Sequence, residues 1–598
     1  MKSFKSHSNV LKNRYAGFFN FEMAFGLSAP LGRRLADPRR DQSFSFETFE
    51  RRMDRSNRGE TIGYALDFGA NRRAVGAFAQ AKHGQQYDML ELAEVAAFRH
   101  NIYILDNIRP GVNSARQPWD FSRSMVFLNL FGNLQNGGSK VWILNGFRFA
   151  FAVSAAVTVL VACGGSLVPG AGAHELLRFA SRGGGIDKIQ HVVIIIQENR
   201  SLDNLFHGFP GARTQSYGYD SSGEKIKLRE IPLETKWDVD HSAQAFFDAC
   251  NGTGSFPGTD CRMNGFNKES VQCGHGRFPA CPIAHPQYAY VPPAETKLYF
   301  EMGEQYVLGD EMFASNFDQS SFVAHQYLIA AQSDSAVNFP SSNEWGCEGG
   351  SGDTIPTVTQ GRKLDYSRPK RVCFDYETLG DELDAAKISW RYYTAHTPYG
   401  NGSFWSAYSA VKHIYYGPDW KQNVVDPQTK FFDDVKSNLP AVSWVTPTCQ
   451  NSDHASCKGN TGPEWVASLV NAVGQSQYWN STAIFVTWDD PGGWYDHVAP
   501  KMLDYDGLGF RVPLLVISAY AKKGHVSHVH YELASILRFV EDRYGLPPLS
   551  ASDARAVSPA ADCFDFNKPP RKFVAIQTAR DESYFRHQAL DLRPVDAE

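Results

Sequence analysis

The stretch Gln190-His191-Val192-Val193-Ile194-Ile195-Ile196-Gln197-Glu198-Asn199-Arg200-Ser201-Leu202-Asp203 decides how the chain is read. Five apolar β-formers, Val192 to Ile196, run without a polar break. A parallel strand buried on both faces has that pattern, whereas a half-solvated strand alternates. Gln197, Glu198 and Asn199 follow at once. In an open α/β sheet, ligands collect where strands end at their carboxyl side. A carboxylate and a carboxamide at that edge offer hard oxygen ligands to a cation. A strand followed by a polar turn would read the same, so the stretch needs a partner.

Thr482-Ala483-Ile484-Phe485-Val486-Thr487-Trp488 supplies it, and Asp489-Asp490-Pro491-Gly492-Gly493-Trp494-Tyr495-Asp496-His497 follows. Two adjacent carboxylates at a strand exit repel each other unless a cation or proton lies between them. Pro-Gly-Gly then turns the chain with little side-chain bulk nearby. Two such strand ends, far apart in sequence, would make one metal site, where two solvated loops are the plainer reading.

The segments 197–203 and 487–498 resemble the signature ends of the phosphoesterase family that contains bacterial phospholipases C and a metal-dependent acid phosphatase. The resemblance spans roughly 186–549. It implies an α/β fold similar to alkaline phosphatase and the sulfatases: a doubly wound, mostly parallel sheet, here with disulfide-tied loop insertions. It also implies that Glu198, Asn199, Asp489 and Asp490 hold a divalent metal cation. Oxygen-rich ligation suits Ca2+ or Mg2+, and the identity stays open.

The family nucleophile is a Ser or Thr just before an aromatic residue. Aligning through Phe322 and Ala324-His325-Gln326-Tyr327-Leu328 puts it at Ser321, with Ser320 as the alternative. Without the family, Ser-Ser before a helix is simply a cap. Three histidines enter by the same resemblance, as phosphate ligands or acids. They are His241 in Asp240-His241-Ser242, His413 before Tyr415-Tyr416-Gly417, and His454 in Asn451-Ser452-Asp453-His454. Each reads equally well as a structural or surface histidine on its own. His497 is held back, because after a Tyr-Asp turn it can merely orient a carboxylate.

At 598 residues the chain can bury a large core and hold more than one unit. A net charge of -5 gives no reason to expect a nucleic-acid partner. Aromatics make up 13 % of the chain, and Phe317, Phe322, Phe404, Trp405, Trp494 and Tyr495 fall in loops near the expected site. Most read as packing, some as pocket lining. Ten cysteines include the near pairs Cys250 and Cys261, Cys273 and Cys281, Cys347 and Cys373, and Cys449 and Cys457. In an exported protein that spacing suggests short-loop disulfides, with connectivity left open. Zinc ligation competes, since His275 and His285 lie nearby, but no CxxC occurs.

Five segments follow. Residues 1–140 are Arg-rich and carry no recognised motif; translation starting near Met125 would explain them, and a basic cytoplasmic region is the alternative. Residues 141–163 fit a signal: an apolar run from Phe149 to Ala162 behind Lys140 and Arg148, ending Leu160-Val161-Ala162-Cys163 like a bacterial lipobox. A core helix is the competing reading. Residues 164–185 form a Gly-rich tether, 186–550 the catalytic domain, and 551–598 a polar tail expected to be poorly ordered. Helices are expected over 295–309, 405–414, 462–475 and 531–544, and strands over 387–393, 441–445 and 512–518.

The function expected is that of an exported phosphoric ester hydrolase of the phospholipase C or acid phosphatase type. Ser321 would attack phosphorus and form a phosphoseryl intermediate. The substrate would be a phosphate ester, a phospholipid being one case, and the enzyme would be lipid-anchored in the periplasm or at the cell surface. A surface-anchored binding protein with a silent phosphoesterase fold is the alternative.

Overall fold

The computed structural model describes residues 185–589 apart from 255–256, 274–280, 282, 343, 396–404, 458 and 460, together with strands Gly63–Asp67 and Ala74–Phe78. Cys163 and the expected signal segment, the expected tether up to Gly184, His275 and Phe404 lie outside the described residues. The chain divides into two units, 1–145 and 146–598. In the first, the two strands pair antiparallel. Among the described residues no helix is long and apolar enough to cross a membrane.

The second unit is built on an eight-stranded sheet. In chain order its strands are β1 (His191–Gln197), β2 (Val307–Gly309), β3 (Trp390–Tyr393), β4 (Val424–Val425), β5 (Val442–Val445), β6 (Thr482–Trp488), β7 (Leu514–Ser518) and β8 (His525–Ser527). In space they run β4-β3-β5-β1-β6-β7-β2-β8. Every pairing is parallel except the two that β7 makes, so β7 alone opposes the other seven. The segment expected at 512–518 as one more core strand is therefore the exception to the parallel sheet.

The apolar run of β1 places it beside β5 and β6, with Val192 to Ile196 fully buried. β6 is buried along its whole length. Its rings show what covers each face. Phe485 packs edge-on against Phe539 of α4 (Ala534–Tyr544), and Trp488 against Tyr299 of α1 (Lys297–Gln305). Successive strand residues alternate faces, so residues three apart point oppositely and the two helices flank opposite sides. With α2 (Ser321–Ala330) against α4 and α3 (Gly462–Gly474) against α1, the sheet is doubly wound.

Several boundaries differ from expectation. The helix expected over 295–309 stops at Gln305, because Tyr306 takes a non-helical backbone and Val307–Gly309 joins the sheet beside β7. The helix expected over 405–414 is a 3-10 turn, Ala407–Ala410, and a short helix, Lys412–Tyr415. Residues 531–532 pair as a strand before α4. The expected loose tail is a correction of substance: Cys563, Phe564, Phe566, Ile576 and Phe585 are buried. Phe564 packs on Phe539 and Phe585 on Trp465, while Asn471 Nδ2 donates to the Ile576 carbonyl at 2.8 Å. Scattered aromatics, not a periodic pattern, hold 551–589 to the core. All four near pairs of cysteines are disulfides, and Cys563 is free and buried.

Candidate active site

β1 and β6 pair in register from His191 with Thr482 to Gln197 with Trp488, and Asp489 N–H donates to the Gln197 carbonyl at 3.0 Å. Glu198 and Asp489 thus leave the sheet side by side at its carboxyl edge, as the two stretches predicted. Asn199 takes a left-handed backbone (φ 58°), which a short polar side chain tolerates better than most. That turn aims its N–H at Asp489 Oδ1, 3.0 Å away. Gly492 also has positive φ (62°), and a Cβ there would sit 2.5 Å from the Asn199 carbonyl. The turn after Asp490 therefore has no room for a side chain, and Gly492 N–H caps Asp490 Oδ1 at 2.7 Å.

α2 begins at Ser321, and its cap residue Ser320 makes no side-chain capping bond. Ser321 Oγ lies 3.2 Å from Asp490 Oδ2 and 3.3 Å from Asn199 Oδ1, its single proton serving one at a time. Ser320 turns away to Asp318 Oδ2 (3.1 Å) and the Asn338 carbonyl (2.8 Å). The two serines thus face different partners: Ser321 looks towards Asn199 and Asp490, and Ser320 does not.

One helical turn on, His325 Nε2 lies 3.2 Å from Glu198 Oε1 and 3.6 Å from Asp489 Oδ2. Burial pulls this imidazole below its ordinary value, with Asp489 opposing. The sequence reading used His325 only to align Ser321. The signal was there: residues four apart on a helix share a face. If Ser321 looks into the site, so does His325.

His241 Nδ1 donates to the Val239 carbonyl at 2.7 Å, which leaves Nε2 to accept from Asn199 Nδ2 at 3.0 Å. That bond orients the Asn199 carboxamide so that Oδ1 faces Ser321. His454 lies beyond it, with ring centroids 6.0 Å apart. Its Nδ1 faces the Ala455 carbonyl and, at 3.6 Å, Asp238 Oδ2. The His454 loop is clamped from β1. Gln197 bonds the Asn451 carbonyl (3.1 Å) and Asp453 N–H (3.0 Å), and Arg200 Nε bonds the Asp453 carbonyl (2.7 Å). Asp453 itself accepts from Tyr299 and Trp488. Burial pushes its carboxyl up to about 6 against those partners. The Cys449–Cys457 bridge closes the same loop.

His413 is a correction. It sits on Lys412–Tyr415 with both ring nitrogens on carboxylates, Asp375 and Asp381, each at 2.9 Å. Burial alone would lower it, but those two carboxylates win and raise it. Neither belongs to the cluster, so the structure links His241 to Ser321 through Asn199, sets His454 beside His241, and leaves His413 out. His497 bonds Asp203 Oδ2 at 2.6 Å and not the Asp489–Asp490 pair. Of the loop aromatics, Phe317 packs on Phe246 and Phe247, and Trp494 stacks over Arg200. Trp405 lies beside His454, and Phe339, which sequence did not single out, sits edge-on to His241.

The donors suit a cation. Glu198, Asp489 and Asp490 are fully buried, and like charges so gathered need compensation. Asp489 Oδ2 accepts no hydrogen bond. Glu198, His325 and Asp489 present ligand atoms within 4.8 Å of one another, while Asn199 and Asp490 gather round the Ser321 hydroxyl.

A buried serine at a helix start, facing carboxylates at the carboxyl edge of a parallel sheet with imidazoles close by, is an arrangement that ester hydrolysis can use. Over residues 189–547 the chain matches the model of the Phosphoesterase family, and it belongs to that family. It is a hydrolase acting on phosphoric ester bonds. Phospholipase C A of Mycobacterium tuberculosis is 22 % identical over 437 residues, covering 65 % of this chain and 79 % of the relative. Non-specific phospholipase C1 of Arabidopsis thaliana is 24 % identical over 378 residues, covering 57 % and 62 %. A solved structure described as a protein in the alkaline phosphatase superfamily from Vibrio parahaemolyticus aligns loosely, at 11 % identity and a TM-score of 0.27, over 62 % of this chain and 71 % of that one.

Proposed function

We propose that the protein cleaves phosphate esters, phospholipid head groups among them, through a Ser321 nucleophile. The observation that carries this is the Ser321 hydroxyl, buried at the start of α2 and within 3.2 Å of Asp490 Oδ2. Ser321 Oγ attacks phosphorus in line with the leaving oxygen, giving a phosphoseryl enzyme that water then hydrolyses. Asp490 Oδ2 accepts the serine proton. The first N–H groups of α2 lack a side-chain cap and face the phosphoryl oxygens. His241 keeps Asn199 Oδ1 turned to the serine. His454, whose Nδ1 is occupied, gives a proton from Nε2 to the leaving oxygen. Glu198, Asn199, Asp489 and Asp490 hold a divalent cation, which when bound adds positive charge beside the phosphoryl oxygens and the serine.

The same reading makes this an exported, lipid-anchored enzyme of the periplasm or cell surface. Four disulfides favour an oxidising compartment, and Leu160-Val161-Ala162-Cys163 ends an apolar run as a lipidation site would. Intact mass of the membrane-associated form reads the mature start directly. A mature chain beginning at Met1 would rule that lipidation site out.

The decisive experiment is hydrolysis of phosphatidylcholine and of p-nitrophenyl phosphate by the purified protein, with and without chelator. Diacylglycerol release that stops with chelator is expected for a phospholipase C. Turnover of the monoester alone would make it a phosphatase. In either case Ser321→Ala should abolish turnover while Ser320→Ala retains it; comparable loss in both would remove Ser321 from its role.

A further inference from the structure

His325 is the one nitrogen donor among the residues that gather at Glu198 and Asp489. It is 1 % exposed. Its Nε2 lies 3.2 Å from Glu198 Oε1 and 3.6 Å from Asp489 Oδ2, and the latter oxygen is buried without a hydrogen bond. A tetrahedral cation with ligand bonds of about 2.1 Å spaces its ligands about 3.4 Å apart. The two spacings that His325 makes therefore already match two edges of one face of such a site, and the carboxylate pair closes it within 4.8 Å.

Two features hold His325 there. α2 is fixed at its first turn by the site, since Ser321 starts it and faces Asp490. It is fixed further along by packing, since every residue from Ser321 to Ala330 is buried. A ring on such a helix has one place to go, and that place is between two carboxylates.

We propose that His325 Nε2 is a ligand of the cation held by Glu198 and Asp489, and that this nitrogen makes the site select a borderline transition ion, Zn2+ above all, over Ca2+ or Mg2+. Imidazole suits zinc and the later first-row ions, whereas hard alkaline-earth ions take oxygen almost exclusively. An all-oxygen set of Glu198, Asn199, Asp489 and Asp490 would carry no such preference. The inference rests on the metal-assisted reading of the site, and its test separates the two.

The full-length protein, stripped with chelator, is titrated with Zn2+ and with Ca2+ by calorimetry, and with Co2+ by visible absorption; no turnover is needed. The wild type should bind one Zn2+ at least a hundredfold more tightly than Ca2+, and Co2+ should give intense visible bands. In His325→Gln, the Zn2+ affinity should fall at least tenfold with the Ca2+ affinity within about threefold, and the Co2+ bands should weaken. A parallel fall for both ions would mean that His325 only orients the carboxylates, and would overturn the proposal alone. So would a wild type that binds Ca2+ as well as Zn2+. A protein that binds none of these ions would overturn the metal-assisted reading and this inference with it. Should His325→Gln unfold, imidazole nitrogen modulation in the electron-spin-echo spectrum of the Cu2+-loaded wild type decides: its presence supports the nitrogen ligand and its absence overturns it.

Discussion

The two strand exits of this fold build two acidic clusters, and they end differently. In the first, Glu198, Asp489 and Asp490 face Ser321, Asn199 and His325, none of which carries a fixed positive charge. In the second, a few residues further along the same two segments, Asp203 and Asp496 meet Arg511. The guanidinium grips Asp496 through Nε (2.8 Å) and Nη2 (3.1 Å), and His497 bonds Asp203. Arg511 Nη1 also ties the Asp310 carbonyl at 2.7 Å. Sequence alone shows acidic residues in both places. The counter-charge distinguishes them: a cluster closed by its own arginine is a joint, and one left to imidazoles and hydroxyls is a site.

The comparison breaks first at its carboxylates. Asp489→Asn should lower kcat about a thousandfold, the several kcal/mol of charge stabilisation that a bound cation supplies, while the melting temperature stays put or rises. Asp496→Asn should do the reverse. It strands a buried guanidinium and should cost about 3–5 kcal/mol in a denaturation curve, with activity per folded molecule retained. If the two variants behave alike, the distinction between joint and site is wrong. Cys457→Ser sharpens it next: opening the short loop that carries His454 should cost about 2–3 kcal/mol of stability, together with turnover.

The smallest effect is a pH slope. Burial pushes Asp318, which supports Ser320, up to about 7. Its folded value lies above the unfolded value of about 3.9, so the native state holds the extra proton and loses stability as pH rises from roughly 4 to 7. Asp318→Asn should flatten that part of the melting-temperature profile. An unchanged slope would mean that other groups set it.

Much of the fold was legible because β1 and β6 are buried on both faces and therefore read as unbroken apolar runs. Their polar exits drew notice to Glu198, Asn199, Asp489 and Asp490, and the family resemblance, not the exits alone, set them above two solvated loops. Illegible features were those set by tertiary contact. Whether β7 runs parallel or antiparallel depends on its neighbours, not on Leu514 to Ser518 themselves. His413 and His454 look alike as histidines beside loops; only Asp375 and Asp381 on one side, and the Gln197 and Arg200 clamp on the other, tell them apart. His325 was hidden in plain view, four residues after Ser321, because a histidine within a helix that is buried all round raises no periodic signal.

The central strand has a cost measured in time. β1 can complete neither of its ladders early: His191 meets Pro440 across 249 residues, and Asn199 meets Asp489 across 290. A ribosome adding about 5–20 residues per second needs roughly 15–60 seconds to deliver that second partner. Through that interval Val192 to Ile196 is a sticky, unpaired segment with strong β propensity, open to any other strand edge it encounters. The same strand that sets the spacing of Glu198 and Asp489 is thus the part of a nascent chain most in need of a chaperone until its last neighbour is made.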